Sequence, residues 1–381
     1  MRLPRNARWA VPTTAVVVIG SGIAASAISV AQAAPDLPAK TPAQLLADIA
    51  STQNLPALTG TVVESADLGL PQLPQVGSST SLTSLITGSH TIKVYWRDAK
   101  HFRLAMPQTM METDLIRNGS TVWLWESASN TVTKYSVSGH DAKAAKPADL
   151  PALTPQQAAN DALQAVGKTT VVSVDSTVSV AGEPAYQLVL APKDSRSTIG
   201  SIAIAIDAKT HVPLRVQVFA KGSATPAFQV GYTQISYVAP AAANFNFTPP
   251  PGASYDNASK PQAGQPASEA SPAGTEGTYG SDWLTVAEVP ASLLSDASGS
   301  PAPVKTPSGS GTGVFGADGQ AAIHAFLGAG KQVSGAWGSG QLIHTSLINV
   351  LIVGNELYIG AVDPSVLEAA VGHATPVASG S

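Results

Sequence analysis

The chain has 381 residues and no cysteine, which excludes disulfides and a lipid-modified N-terminal cysteine. Only 12% of residues are charged, with 21 Lys and Arg against 25 Asp and Glu. A mildly acidic surface argues against nucleic acid as a partner, and the length allows two domains.

Residues 1–33 read as an export signal. Arg2, Arg5 and Arg8 form a basic start, and an apolar run extends from Ala10 to about Ala27. Ala31-Gln32-Ala33 then places small residues where a signal peptidase reads. Cleavage after Ala33 removes three arginines and no acid, taking the net charge from −4 to −7. The expected location is therefore outside the cytoplasmic membrane, in the cell envelope or secreted.

The first helix starts at Thr41-Pro42-Ala43-Gln44. The Thr hydroxyl can cap an orphan amide while Gln44 reaches back to the cap, and Leu45, Leu46 and Ile49 form an apolar face. Residues 68–89 then carry no charge but hold Leu68, Leu70, Leu73, Val76, Leu82, Leu85 and Ile86. An uncharged, leucine-bearing loop of this length is either functional or disordered; a functional one suits a flap that covers an apolar hollow or dips into a membrane surface.

His101-Phe102-Arg103-Leu104-Ala105-Met106-Pro107 reads as a strand. Leu115–Asn118 and Val122–Trp125 form a hairpin about an Asn118-Gly119 turn. Three of the four methionines, Met106, Met110 and Met111, crowd this region. Flexible thioethers suit a lining for variable chains, although ordinary core filling explains them too. Trp123 and Trp125 share one strand face while Val122 and Leu124 share the other, so both faces are apolar.

A second capped helix opens at Thr154-Pro155-Gln156-Gln157, with Ala159, Leu163 and Val166 on one face and Gly167 as its stop. Alternating strands follow through Val172–Val180, Ile202–Ile206, Val212–Val218 and Phe228–Tyr237. Asp207–Thr210 forms a turn, and a bulge near Gly231 accounts for a change of parity. Residues 254–280 have linker composition. Residues 281–381 form a small C-terminal unit. It contains a Ser/Gly/Pro stretch at 297–313, a helix near 320–327, strands near Gln341–Val353 and Glu356–Ala361, and a last helix opening at Asp363-Pro364.

Gly311-Thr312-Gly313-Val314-Phe315-Gly316 matches a dinucleotide fingerprint but emerges from a linker, so it implies no cofactor. The histidines have no metal-binding spacing, and no nucleophile elbow or carboxylate pair stands out. The sequence therefore points to a binding protein, with no catalytic residue, no metal and no cofactor.

Four segments carry a family resemblance. They are His101–Pro107 with Leu115–Trp125; Tyr186–Lys193; Ile204–Asp207 with Pro213-Leu214-Arg215; and Ala242–Ala253, containing Phe245-Asn246-Phe247-Thr248-Pro249-Pro250. In this order, over residues about 41–253, the chain resembles the LolA-like family of bacterial lipoprotein carriers.

The resemblance implies a mainly β (α+β) fold: a curved antiparallel sheet forming an open half-barrel with helices as its lid, within residues 34–253. Its hollow would take acyl chains of lipids or lipoproteins. The lining candidates are Trp96, Phe102, Leu104, Met106, Met110, Met111, Trp123 and Trp125, with Leu68, Leu70 and Leu73 on the flap and Arg97 as gate. The carrier domain, linker and small C-terminal domain together resemble the plan of RseB-type regulators. That plan implies an alternative partner, the outer segment of a membrane-spanning anti-sigma factor.

Overall fold

The structure is a computed structural model. It describes residues 34–51, 55–68, 87–108, 110–137, 154–156, 159, 163, 167–256, 277–290 and 330–373. The export signal, flap residues 69–86 (with Leu70 and Leu73), most of the second helix, linker residues 257–276, the stretch at 297–313, the glycine-rich fingerprint and the helix near 320–327 lie outside the described residues.

Helix α1 (Pro42–Ser51) begins as its cap dictates. The Thr41 amide donates to Gln44 Oε1 at 2.8 Å, and the Gln44 amide donates to Thr41 Oγ1 at 3.3 Å. The strands that follow are β1 (Leu58–Asp67), β2 (Thr87–Asp98), β3 (His101–Gln108), β4 (Met111–Asn118), β5 (Thr121–Glu126) and β6 (Thr131–Ser136). Next come β7 (Thr170–Val180), β8 (Glu183–Pro192), β9 (Ile199–Asp207), β10 (Pro213–Ala220), β11 (Pro226–Ser236) and the short β12 (Ser254–Asp256).

These strands form one sheet in the order β12-β6-β5-β4-β3-β2-β1-β11-β10-β9-β8-β7. Every pair is antiparallel except β12 with β6. The chain forms a meander outward from β1 to β6. It then forms a second meander from β7 that ends with β11 against β1. Strands β12 and β7 remain as edges, so the curved sheet is not closed into a barrel.

Curvature is greatest at the β7 end. Strands β7 and β11 are four steps apart, which is about 19 Å in a flat sheet. They nevertheless come into contact. That half curls over its own inner face. Leu188, Ile204, Ile206 and Leu214 there are fully buried, together with Leu45 of α1.

Two local features differ in detail from the sequence reading and a third agrees with it. The bulge on β11 falls at Thr233, two residues beyond Gly231, where the register against β1 skips one residue. Gly231 is required for another reason: a Cβ there would lie 2.9 Å from Arg215 Cγ. In the β4–β5 hairpin Asn118 pairs with Thr121, so Gly119 and Ser120 form the turn, with Gly119 at φ +64. The Asp207 turn forms as expected, because its Oδ1 accepts the amides of Lys209 and Thr210 at 2.9 and 2.6 Å.

A second sheet contains β13 (Gly277–Tyr279), β14 (Val286–Pro290), β15 (Lys331–Gly335), β16 (Gly338–His344), β17 (Asn349–Val353) and β18 (Glu356–Gly360), in the order β13-β14-β18-β17-β16-β15. The segment expected as one strand from Gln341 to Val353 is two. Thr345 interrupts it, because its Oγ1 accepts the amides of Leu347 and Ile348 and folds the chain back. Helix α2 (Pro364–His373) covers one face with Leu367 and Ala370, against Val286, Leu351 and Tyr358.

The second sheet is joined to the first at one end of the larger sheet. Ser197 bridges to Val362, and the Thr198 amide donates to the Ala361 carbonyl at 3.1 Å. The Trp283 indole donates to Thr170 Oγ1 at 2.8 Å. The turn after β16 places Leu347 among Leu68, Ala220 and Ala227. Leu68 therefore belongs to this junction: it is buried, and its carbonyl accepts the Ser346 amide at 2.9 Å. Here the structure corrects the expectation that Leu68 is a flap residue facing a ligand.

Candidate ligand-binding face

Directly opposed residues in antiparallel strands share a face, so the register assigns every side chain of β2–β6 to one side or the other. One row runs Trp96, Phe102, Arg117, Val122, Tyr135. The next runs Val94, Leu104, Leu115, Leu124, Thr133. A third runs Met106, Thr113, Glu126, Thr131. Val94 and Met106 belong to the main core, and Trp96 and Leu104 pack against it. All three rows therefore lie on the inner face.

The centre of this face is apolar but incompletely covered. Phe102, Leu104, Val122 and Leu124 are half-buried. Trp96 and Phe102 stack with ring centroids 5.6 Å apart and planes 17° from parallel. The structure thus brings four of the expected lining residues together: Trp96, Phe102, Leu104 and Met106. It adds Leu115, Val122 and Leu124, which strand alternation places beside them.

The remaining methionines do not join that group. Met110 is at the tip of the β3–β4 hairpin with φ +63 and is 98% exposed. Met111 is half-buried beside it, opposite Gln108. A hairpin turn forces the chain out of the pleat, so crowding in sequence does not become crowding in space.

Trp123 and Trp125 lie on the opposite, outer face. Trp125 opposes Asp114, and Trp123 opposes Ile116 and Lys134. Their rings pack against Phe247 at 5.7 and 6.1 Å. The segment 240–256 crosses the outside of the sheet in this way. Phe245 is buried beside His101, and Asn118 Nδ2 donates to Asn246 Oδ1 at 3.1 Å. Ser254 then starts β12, which pairs with β6 and forms the edge of the sheet. The Phe-Asn-Phe segment is an external strap, and the two tryptophans are its seat.

Arg97 belongs to the same seat. The β2–β3 register skips a residue at this position. Its guanidinium donates to the Pro240 carbonyl at 2.9 Å and lies 5.1 Å from the Phe245 ring centre. A cation so engaged anchors the strap and does not gate the inner face. Also on the outer face, Arg103 donates to both carboxylate oxygens of Asp114 at 3.2 and 2.6 Å. Burial pushes the Asp114 carboxyl up, and the paired Arg103 only partly offsets this.

No protein-family model and no curated protein matches the chain. Several solved structures are similar to it. One is the Pseudomonas aeruginosa MucA/MucB complex, with 14% identity over 87% of this chain and 96% of that chain and a TM-score of 0.41. Another is a LolA superfamily protein from Nitrosomonas europaea, with 11% identity, 55% and 99% coverage and a TM-score of 0.20. A lipoprotein-sorting protein domain from Vibrio parahaemolyticus has 10% identity, 53% and 95% coverage and a TM-score of 0.21.

Proposed function

We propose that this protein is an extracytoplasmic binding protein for acyl chains of lipids or lipoproteins, held against the inner face of β2–β5. One observation carries the reading. Half-buried Leu104 and Leu124 flank Leu115 in one apolar row, with half-buried Phe102 and Val122 beside it across Arg117, on the same face whose other half is a buried core. Apolar surface left partly in water gains free energy when a hydrocarbon chain covers it, by about 25 cal/mol per Å².

Lipid extracted from the protein purified from its native envelope should contain stoichiometric acyl species by mass spectrometry. Leu124→Asp should lose them, because a carboxylate placed against hydrocarbon loses its hydration. If neither the native nor the delipidated protein retains any acyl species, the reading fails. The RseB-like alternative, in which the protein binds the outer segment of a membrane-spanning partner, would then take its place. It draws on the plan of one large sheet followed in the chain by a smaller one.

A further inference from the structure

We propose that Arg117 receives the headgroup of the bound chain, so that the ligand is a mono-anionic amphiphile, a long-chain carboxylate. This rests on the acyl-binding reading above and specifies its ligand. Arg117 is on β4 directly between Phe102 and Val122, on the inner face. It is half-buried. Its Nε donates to the Gly119 carbonyl at 3.1 Å, which orients the guanidinium plane. Among the described residues its terminal nitrogens have no hydrogen-bond or ion-pair partner.

The carboxylates of the neighbouring strands are elsewhere. Glu126 shares the inner face but opposes Thr113, four residues along β4, which is about 13 Å away. Asp114 is on the outer face, held by Arg103 at 2.6 Å, and Glu112 is 3.5 Å from the same guanidinium. Asp98 is engaged by His101 at 2.9 Å.

A partly desolvated guanidinium without a counter-charge is costly, and a planar carboxylate satisfies it with two parallel charge-assisted hydrogen bonds. One guanidinium balances one negative charge, which a carboxylate carries and a dianionic phosphomonoester exceeds. The chain of such a ligand then lies along the Leu104, Leu115 and Leu124 row, immediately beside Arg117 in the pleat.

The test uses cis-parinaric acid, a fluorescent fatty acid, and its methyl ester, titrated into the purified protein, Arg117→Gln and Arg117→Lys. The protein should bind the acid about tenfold more tightly than the ester, the value of one good charge-assisted contact. Arg117→Gln should lose that preference with ester affinity unchanged, and Arg117→Lys should keep part of it. Equal affinity for acid and ester in the unaltered protein would overturn the headgroup assignment and leave acyl binding standing. So would a uniform loss for both ligands in Arg117→Gln. If neither ligand binds the unaltered protein, the acyl reading itself falls, and this inference with it.

Discussion

The two halves of the large sheet solve the same problem in opposite ways. Strands β7–β11 curl until β7 meets β11, and their inner side chains leave water completely, with Leu188, Ile204 and Leu214 at 0% exposure. Strands β2–β6 keep Phe102, Leu104, Val122 and Leu124 half-buried on the same face. Their cover is placed outside, where residues 240–256 strap Phe245 and Phe247 across the sheet. One half is stabilised by what it encloses. The other is stabilised from behind, which leaves its inner face partly open. A sheet supported on its outer side can hold an apolar surface partly open without losing its strands.

The sharpest way to break that contrast is to truncate one leucine in each half. Leu188→Ala removes a fully buried side chain from the curled half and should cost about 2–5 kcal/mol, transfer plus cavity. Leu124→Ala removes a half-buried one from the open half and should cost about 1 kcal/mol. Urea unfolding midpoints measure both. Equal losses would mean that the open half is ordinary core.

Much of this contrast was legible in the residues, and some could not be. The alternation of Val122 and Leu124 against Trp123 and Trp125 identified a strand with two apolar faces. It could not say which parity faces inward, because that depends on register with β3, β4 and the strap. The tryptophans are among the lining expected from the resemblance, yet the strap claims them. Thr41 and Gln44 announced α1 because a capping box is local chemistry. The skipped residue at Arg97 and the bulge at Thr233 are set by the neighbouring strand, so sequence showed only a parity change for one and nothing for the other. Arg117 was unremarkable in sequence. Only the row between Phe102 and Val122 sets it on the inner face.

Phe247→Ala tests the strap. It uncovers the seat formed by Trp123 and Trp125 and should cost about 2 kcal/mol, since the aromatic contacts add to area burial. Tryptophan emission should shift to the red as water reaches the rings, while fatty-acid affinity stays unchanged. A fall in affinity matching that of Leu124→Asp would put the tryptophans in the ligand's path and erase the distinction between inner and outer faces.

The smallest expected effect is an asymmetry within one ion pair on the outer side of the open half. Asp114 is 1% exposed, whereas its partner Arg103 keeps 29% of its side chain accessible. Removing Arg103 strands Asp114, whereas removing Asp114 leaves Arg103 with water and with Glu112 at 3.5 Å, and a stranded group pays only for the solvation it cannot recover. Asp114→Asn leaves an arginine that water can reach; its amide oxygen still accepts one hydrogen bond while its NH2 faces the other Arg103 N–H, so the cost should be about 1 kcal/mol. Arg103→Met leaves a buried carboxylate and should cost about 2 kcal/mol at pH 7. The pH dependence separates this cause from lost packing. Burial already raises the folded-state pKa of Asp114, and loss of Arg103 raises it further. A carboxyl whose folded pKa lies above its unfolded value favours the fold most when protonated, and that advantage disappears as pH rises through the folded value. The Arg103→Met deficit should therefore shrink as pH falls from 7 towards 4, when measured against the unaltered protein at each pH. A deficit that stays constant over that range would assign it to the lost arginine stem, and the charge pair would have no part in holding this half from behind.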